Sequence, residues 1–206
     1  AQLAVQASLT GHLVLSTLHT NSAAAAIPRL LDMGVEPYLL SSTIRTVVAQ
    51  RLPRKICEHC IEAYQATPEL IQNIQEELSS IPNFNIVQYL TRLGSSGSNE
   101  TEFNFVKRPS IFRPPEMGPD GQPVFYLYRG KGCDKCGGTG YSGRIGIFEV
   151  LDVNDKVSRM MMQTVTDKDI EKIAQEQGML TMIEDGYLKA LEGITTIEEV
   201  LRVSKE

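Results

Sequence analysis

The sequence lacks three features that would assign it to a common functional class. No apolar run reaches the roughly 18 residues that a membrane-spanning helix requires. Positive charge is not in excess, since 20 basic and 25 acidic side chains give a net charge of −5, and we therefore expect no nucleic-acid partner. No segment matches Gly-x-x-x-x-Gly-Lys-Ser/Thr, the loop that holds nucleotide phosphates. By itself, the chain is not expected to bind ATP well.

What is present is the composition of a folded protein with a sizeable core. The 206 residues are 42% hydrophobic and 22% charged, and a chain of this length does not need disulfides to fold. Residues 1–9 are typical of the end of a helix that is already under way. We therefore expect the chain to be a fragment of a longer protein.

Helix and strand signals alternate over residues 1–56, which indicates an α/β fold. A branched apolar run over residues 12–18 predicts a buried strand of a parallel sheet. A second strand is expected at residues 49–52.

The same region predicts two helices between these strands. The first covers residues 23–33, with polar residues 20–22 as possible N-caps and Gly34 at its end. Pro28 lies inside this helix and should kink it or mark its second turn. The second helix is expected to carry Pro37 in its first turn.

The pattern changes after residue 61. Residues 68–80 are typical of an amphipathic helix with Thr67 as its N-cap. Glycine and serine at 94–99 predict a flexible loop, and the five prolines of 109–123 predict irregular structure. Two further strands are predicted, at 124–128 and 145–150.

The carboxyl-terminal region is predicted to be helical. A Thr-x-x-acid pattern, typical of helix starts, occurs at Thr166, Thr181 and Thr195. Gly178 and Gly193 lie where helices should end.

All four cysteines fall into two Cys-x-x-Cys pairs, Cys57/Cys60 and Cys133/Cys136, separated by 72 residues. Two such pairs supply the four sulfurs of a tetrahedral zinc site. A closed four-sulfur site leaves no position for substrate, so this zinc should be structural. The alternatives are four unrelated cysteines, two disulfides, or a redox-active pair.

A zinc ion at this site would join the two ends of the long excursion between the pairs. The entropy that is lost on closing the excursion is offset by metal binding. Four thiolates and one Zn²⁺ carry a charge of about −2, which nearby cations would offset. The cations are Arg54, Lys55, Lys131, Lys135 and Arg144.

His19 follows the predicted strand at 12–18 and precedes a helix start. Ligands of open α/β sheets bind at this edge, where Thr17, Thr20 and Asn21 also contribute polar groups. His19 would there donate to a phosphate oxygen or orient a water molecule. The alternative is that these residues only cap the helix.

Several longer runs closely resemble the ATPases of type II secretion and type IV pilus assembly. Residues 6–21, which end in Leu-His-Thr-Asn, are similar to the histidine box of this family. The retraction motors of the same superfamily lack the paired cysteines, so these pairs favour the secretion and assembly branch. The other similar runs are 29–37, 49–52, 133–149 and 193–203.

The resemblance implies the carboxyl-terminal part of a RecA-like ATPase core. Members of the family form homo-hexamers at the cytoplasmic face of the inner membrane, peripheral to it, and act on an inner-membrane platform protein. ATP and Mg²⁺ are held by motifs that precede the histidine box and would lie upstream of Ala1. Only His19 carries over, as a γ-phosphate contact, and the chain alone is expected to be inactive.

The same resemblance suggests three segments. They are a carboxyl-terminal part of the ATPase core (1–56), a zinc-binding tetracysteine region with a long insert (57–143), and a strand followed by a helical subdomain (144–206). The competing function is a non-catalytic, zinc-bearing interaction module, and a redox enzyme is a third; metal content separates the redox enzyme from the other two.

Overall fold

The computed structural model describes residues 1–95, 109–163 and 166–204. These residues group into two compact units, one formed by residues 1–50 and 148–181 and the other by 51–147 and 182–206. The elements are α1 (Gln2–Leu9), α2 (Ala26–Asp32), α3 (Pro37–Thr43), β1 (Thr46–Arg51), β2 (Arg54–Ile56), β3 (Ile61–Gln65), α4 (Pro68–Glu77), α5 (Ile86–Ser95), β4 (Glu116–Met117), β5 (Pro123–Val124), β6 (Tyr126–Gly130), β7 (Tyr141–Arg144), β8 (Ile147–Asp152), α6 (Asp155–Met161), α7 (Asp167–Glu176), α8 (Met182–Leu191) and α9 (Ile197–Ser204).

Helices and strands are therefore mixed, as an α/β domain requires. Each unit contains two separate stretches of the chain, so residues that are far apart in the sequence pack together. The division into segments 1–56, 57–143 and 144–206 stays a prediction. None of the described helices is long and apolar enough to cross a membrane.

The first unit is built on the pairing of β1 with β8. Side chains of β8 alternate between buried and exposed, because successive residues of a strand point to opposite faces. Helix α6 begins at Asn154, whose side chain accepts hydrogen bonds from two backbone N–H groups. Most of the buried apolar side chains described in this unit form one cluster: Ala23, Ala24, Ile27, Val35, Leu40, Leu151, Val153, Val157, Met161, Ile170 and Ala174.

The predicted strand at 12–18 is wrong. Residues 12–20 have no regular secondary structure, and Leu13 and Leu15 are 90% and 88% exposed. A strand is maintained by hydrogen bonds to a neighbouring strand. Within the described part of this unit β1 and β8 pair with each other, so the apolar run has no strand beside it.

The two helices predicted next are confirmed with shifted bounds. Helix α2 begins at Ala26 rather than at residue 23, so the prediction that Pro28 kinks the helix or marks its second turn is wrong. Pro28 lies in the first turn, where its missing N–H costs nothing. Gly34 follows the helix with φ +77°, a conformation that favours glycine. Helix α3 carries Pro37 at its first position, as predicted.

In the described part of the second unit, three strand pairs are antiparallel: β2 with β7, β3 with β6, and the small pair β4 with β5. The strand predicted over 124–128 divides into β5 and β6 at Phe125, and the one predicted over 145–150 is β8. Helix α8 packs against α9, β6 and α4.

The excursion between the cysteine pairs is anchored to helix α8. The predicted helix 68–80 is α4, and Thr67 caps it by accepting the Leu70 N–H. The Ser80 hydroxyl donates to the buried carboxylate of Glu184. Helix α5 was not predicted; it includes the first two residues of the expected loop 94–99, and the other four lie outside the described residues.

The helix starts near the carboxyl terminus agree in part with the Thr-x-x-acid patterns. Thr166 and Asp169 form a reciprocal capping box. At α9 the cap is Thr196, which accepts the Glu199 N–H, and not Thr195. Gly178 and Gly193 follow α7 and α8 with φ of +94° and +80°, as expected for helix ends.

Candidate metal centre and histidine segment

Two antiparallel strand pairs bring the four cysteines together. Cys57 directly follows β2, and Cys60 directly precedes β3. Cys133 and Cys136 lie in the turn between β6 and β7, which are the partners of β3 and β2. The Cys57 N–H donates to the Gly140 carbonyl at 2.9 Å, and the Lys131 N–H donates to the Cys60 carbonyl at 3.0 Å. Each Cys-x-x-Cys turn is therefore tied to the other.

The sulfur positions fit a tetrahedral metal ion. The Sγ atoms of Cys57 and Cys133 are 3.9 Å apart, those of Cys60 and Cys136 are 3.9 Å apart, and those of Cys133 and Cys136 are 3.7 Å apart. A zinc ion with four sulfurs at about 2.3 Å places the sulfurs about 3.8 Å from one another. A disulfide requires about 2.05 Å, and all four cysteines are free. The four cysteines could thus hold one metal ion.

Backbone N–H groups favour the thiolate of Cys136. The N–H groups of Cys133 and Gly140 each donate to its Sγ atom at 3.2 Å. The first of these contacts is the larger cause that lowers the pKa of Cys136 to about 6. Shielding from water raises the pKa of Cys60 to about 12. A bound cation would favour the thiolate form of the cysteines that hold it.

Glycine is required where the second turn meets β6. Gly140 has φ +78°, and a Cβ atom on Gly130 would lie 2.1 Å from the Gly140 carbonyl oxygen. No side chain is compatible with that distance. Gly130 and Gly140 therefore allow the close approach of the two backbone segments on either side of the second cysteine pair.

Two of the cations that were expected to offset the charge of the centre form ion pairs with carboxylates. Lys55 pairs with Glu58 at 2.5 Å, and Lys131 pairs with Glu62 at 2.7 Å. Both carboxylates lie close to cysteines in the sequence, so the surroundings of the centre are of mixed sign. His59, between Cys57 and Cys60, is exposed.

A buried carboxylate that sequence reasoning missed connects this region to α9. Glu199 is 3% exposed; it accepts from the Arg54 backbone at 3.0 Å and pairs with the guanidinium groups of Arg54 and Arg202 at 2.5 and 2.9 Å. Burial alone would raise the pKa of Glu199, but these hydrogen bonds hold it well below its usual range. The Arg54 guanidinium also lies over the Tyr141 ring at 4.3 Å. No local pattern marks a contact between residues 145 apart in sequence.

His19 lies in the other unit, in the segment without regular structure, and its side chain is exposed. The residues that follow it are ordered by hydrogen bonds. The Thr20 hydroxyl donates to the Ser22 carbonyl at 3.0 Å, and the Ser22 hydroxyl accepts the Ala25 N–H at 3.2 Å. The prediction that residues 20–22 cap the helix is wrong: the N-cap of α2 is Ala25, which makes no side-chain cap hydrogen bond, and Ser22 stabilises only the turn that precedes the helix. The role of His19 itself stays a prediction.

The family model described as "Type II/IV secretion system protein" matches residues 1–202. The chain belongs to this family. The match includes the histidine segment and both cysteine pairs, so both candidate sites lie within the region that the family model covers. The resemblance that the motifs indicated is therefore confirmed for nearly the whole chain.

Three curated relatives of the family illustrate the similarity. The chain is 43% identical to the type II secretion system protein E of Xanthomonas campestris over 206 residues, 100% of this chain and 29% of the relative. It is 39% identical to the type IV pilus assembly ATPase PilB of Thermus thermophilus over 201 residues, 98% of this chain and 18% of the relative. It is 38% identical to the type II secretion system ATPase E of Vibrio cholerae, with 100% of this chain and 32% of the relative covered. The chain spans less than a third of the length of each of these three relatives.

Proposed function

We propose that this chain works as the carboxyl-terminal part of an ATPase that powers type II secretion or type IV pilus assembly. The observation that carries the proposal is the family match over residues 1–202, together with relatives whose names include both kinds of ATPase. Because the chain covers 18% to 32% of these relatives, the proposed machine is longer than the chain. The fold of this chain would be the carboxyl-terminal part of a RecA-like core.

In this proposal, His19 contacts the γ-phosphate of ATP. The phosphate loop and the Mg²⁺ ligands are contributed by the longer protein, because the chain contains no Gly-x-x-x-x-Gly-Lys-Ser/Thr motif. An exposed imidazole that follows directly on an apolar segment, and precedes an ordered turn, is free to meet such a ligand. Phosphoryl transfer depends on positioning and charge neutralisation, so His19 acts only on a nucleotide held by other groups.

The cysteine centre would hold a structural Zn²⁺ ion. Cys57, Cys60, Cys133 and Cys136 would be its four ligands, and their spacing supports this assignment. Four protein sulfurs fill a tetrahedral ion, which then offers no position for substrate. The ion supplies cross-linking rather than chemistry: it joins β2 to the turn that precedes β7.

The working assembly is proposed to be a homo-hexamer on the cytoplasmic side of the inner membrane. It would be peripheral to the membrane and act on an inner-membrane platform protein, with ATP and Mg²⁺ as cofactors. The family membership supports this context. No nucleic-acid partner is proposed, in keeping with the net charge of −5.

The proposal is tested by comparing ATP turnover of the 206-residue chain with that of the longer protein. We expect no turnover above a mock-purified control for the chain alone, because it lacks the phosphate loop, and Mg²⁺-dependent turnover for the longer protein. Turnover by the chain alone would contradict the proposal that the longer protein contributes the phosphate loop and the Mg²⁺ ligands. An inactive longer protein that binds no ATP would favour a non-catalytic, zinc-bearing interaction module.

A further inference from the structure

Glu149 is a buried carboxylate in the first unit, and the proposed function does not yet use it. It is 5% exposed and lies on the buried face of β8, between Ile147 and Leu151. A carboxylate is buried at high cost unless it is hydrogen-bonded. One oxygen of Glu149, Oε2, accepts the backbone N–H of Ala23 at 2.8 Å.

The contact joins β8 to Ala23, which is four residues after His19. Ala23 is fully buried, and the hydrogen bonds of Thr20 and Ser22 tie the intervening residues to the same turn. The partners in those two hydrogen bonds are local, whereas Glu149 lies 126 residues away in sequence. Together with the burial of Ala23, the hydrogen bond to Glu149 therefore holds this turn on the core, whereas residues 12–18 on the other side of His19 have no regular secondary structure.

We propose that Glu149 is the positioning residue for His19: it anchors the Ala23 N–H and so sets where the imidazole stands relative to the nucleotide. The proposal rests on the proposed role of His19 as a γ-phosphate contact. Hydrogen bonds to a charged acceptor are the stronger and shorter kind. A small displacement of a group that contacts the reacting phosphate lowers turnover while nucleotide binding, which other groups provide, is retained.

Two substitutions in the longer protein separate this role from general stability. Glu149→Leu fills similar volume but removes the acceptor and leaves the Ala23 N–H unpaired. We expect its kcat to fall on the order of tenfold, with the Kd for a non-hydrolysable ATP analogue little changed. Glu149→Gln retains an amide oxygen that accepts the same N–H, and should restore most of the turnover.

A double-mutant cycle with His19→Ala provides the decisive readout. If Glu149 acts through His19, Glu149→Leu causes no further loss of kcat in the His19→Ala background. Leu151→Ala is the matched control, since Leu151 is fully buried on the same face of β8. It should lower Tm at least as much as Glu149→Leu does, and its effect on kcat should be independent of His19.

The outcomes distinguish the two levels of the argument. Losses of kcat that multiply in the double variant, or a Glu149→Leu enzyme with normal kcat, would overturn the positioning role and leave the function of His19 intact. A His19→Ala enzyme with normal kcat would overturn both. The expected result is coupling between the two sites: Glu149→Leu lowers kcat in the wild-type background but not in the His19→Ala background, and Glu149→Gln restores most of the turnover.

Discussion

Replacing Cys57 by serine should loosen the metal centre without unfolding the first unit. Cys57 is fully buried and lies 3.9 Å from the sulfur of Cys133, so a hydroxyl there removes one ligand and leaves a polar group in a dry position. Cys57 belongs to the second unit. Helices α6 and α7 belong to the first unit, with its own buried cluster.

The expected loss of unfolding free energy follows from the length of the excursion that the metal would close. The two cysteine pairs are separated by 72 residues, and a cross-link over a loop of this size stabilises by up to about 4 kcal/mol in the chain-entropy account. The pairs β2–β7 and β3–β6 flank the site and join the same two stretches. We therefore expect the second unit to lose about 2 to 4 kcal/mol of unfolding free energy and to keep its topology.

Hydrogen exchange followed by mass spectrometry measures this directly. Cys57→Ser and chelator-treated wild type should both lose protection at residues 57–60 and 133–140, with smaller losses in β2 and β7, while α6 and α7 stay protected. Ala66→Ser is the matched control, because it places a hydroxyl at another buried position of the second unit. Uniform loss of protection over both units, or none at all, would refute the reasoning.

Three further results are expected. Elemental analysis should find about one zinc per chain in reducing buffer, and two disulfides or no metal would contradict the site. Glu199→Gln should unfold about 1 to 3 kcal/mol more easily at neutral pH. Because the pKa of Glu199 is lowered in the folded state, its contribution to stability is complete above about pH 4.3 and is lost as the pH falls below that value. In urea titrations the unfolding free energies of variant and wild type should therefore converge on acidification. A difference in unfolding free energy that stays constant with pH would exclude the ion pairs as the cause. Thr67→Ala should cost about 1 kcal/mol by removing the α4 N-cap, measured by thermal melting, whereas Thr67→Ser should cost little; equal losses would exclude the cap.

Local rules predicted the elements that depend on neighbouring residues. Pro37, Thr67 and Thr166 each mark a helix start where expected, because proline at the first position and side-chain caps act within one turn. The cysteine pairs were recognisable for a similar reason, since each pair is a local pattern. Their meeting, with sulfurs 3.7 to 3.9 Å apart, depends on β-pairing between distant stretches.

The elements that the sequence did not reveal depend on distant partners. The apolar run at 12–18 has the composition of a buried strand, but strand formation requires a neighbour, and in the described part of its unit β1 and β8 pair together. Glu149 and Glu199 have the sequence context of ordinary strand and helix residues. Their burial follows from contacts with Ala23 and Arg54, which lie 126 and 145 residues away.

Turnover of the longer protein with His19→Ala tests the central claim most directly. In the proposed function, His19 contacts the γ-phosphate of a nucleotide that other groups hold. We therefore expect kcat to fall by about 100-fold or more, with the Kd for an ATP analogue changed by less than about threefold. A His19→Ala enzyme with unchanged kcat would contradict the account and return His19 to an ordinary residue before a helix start.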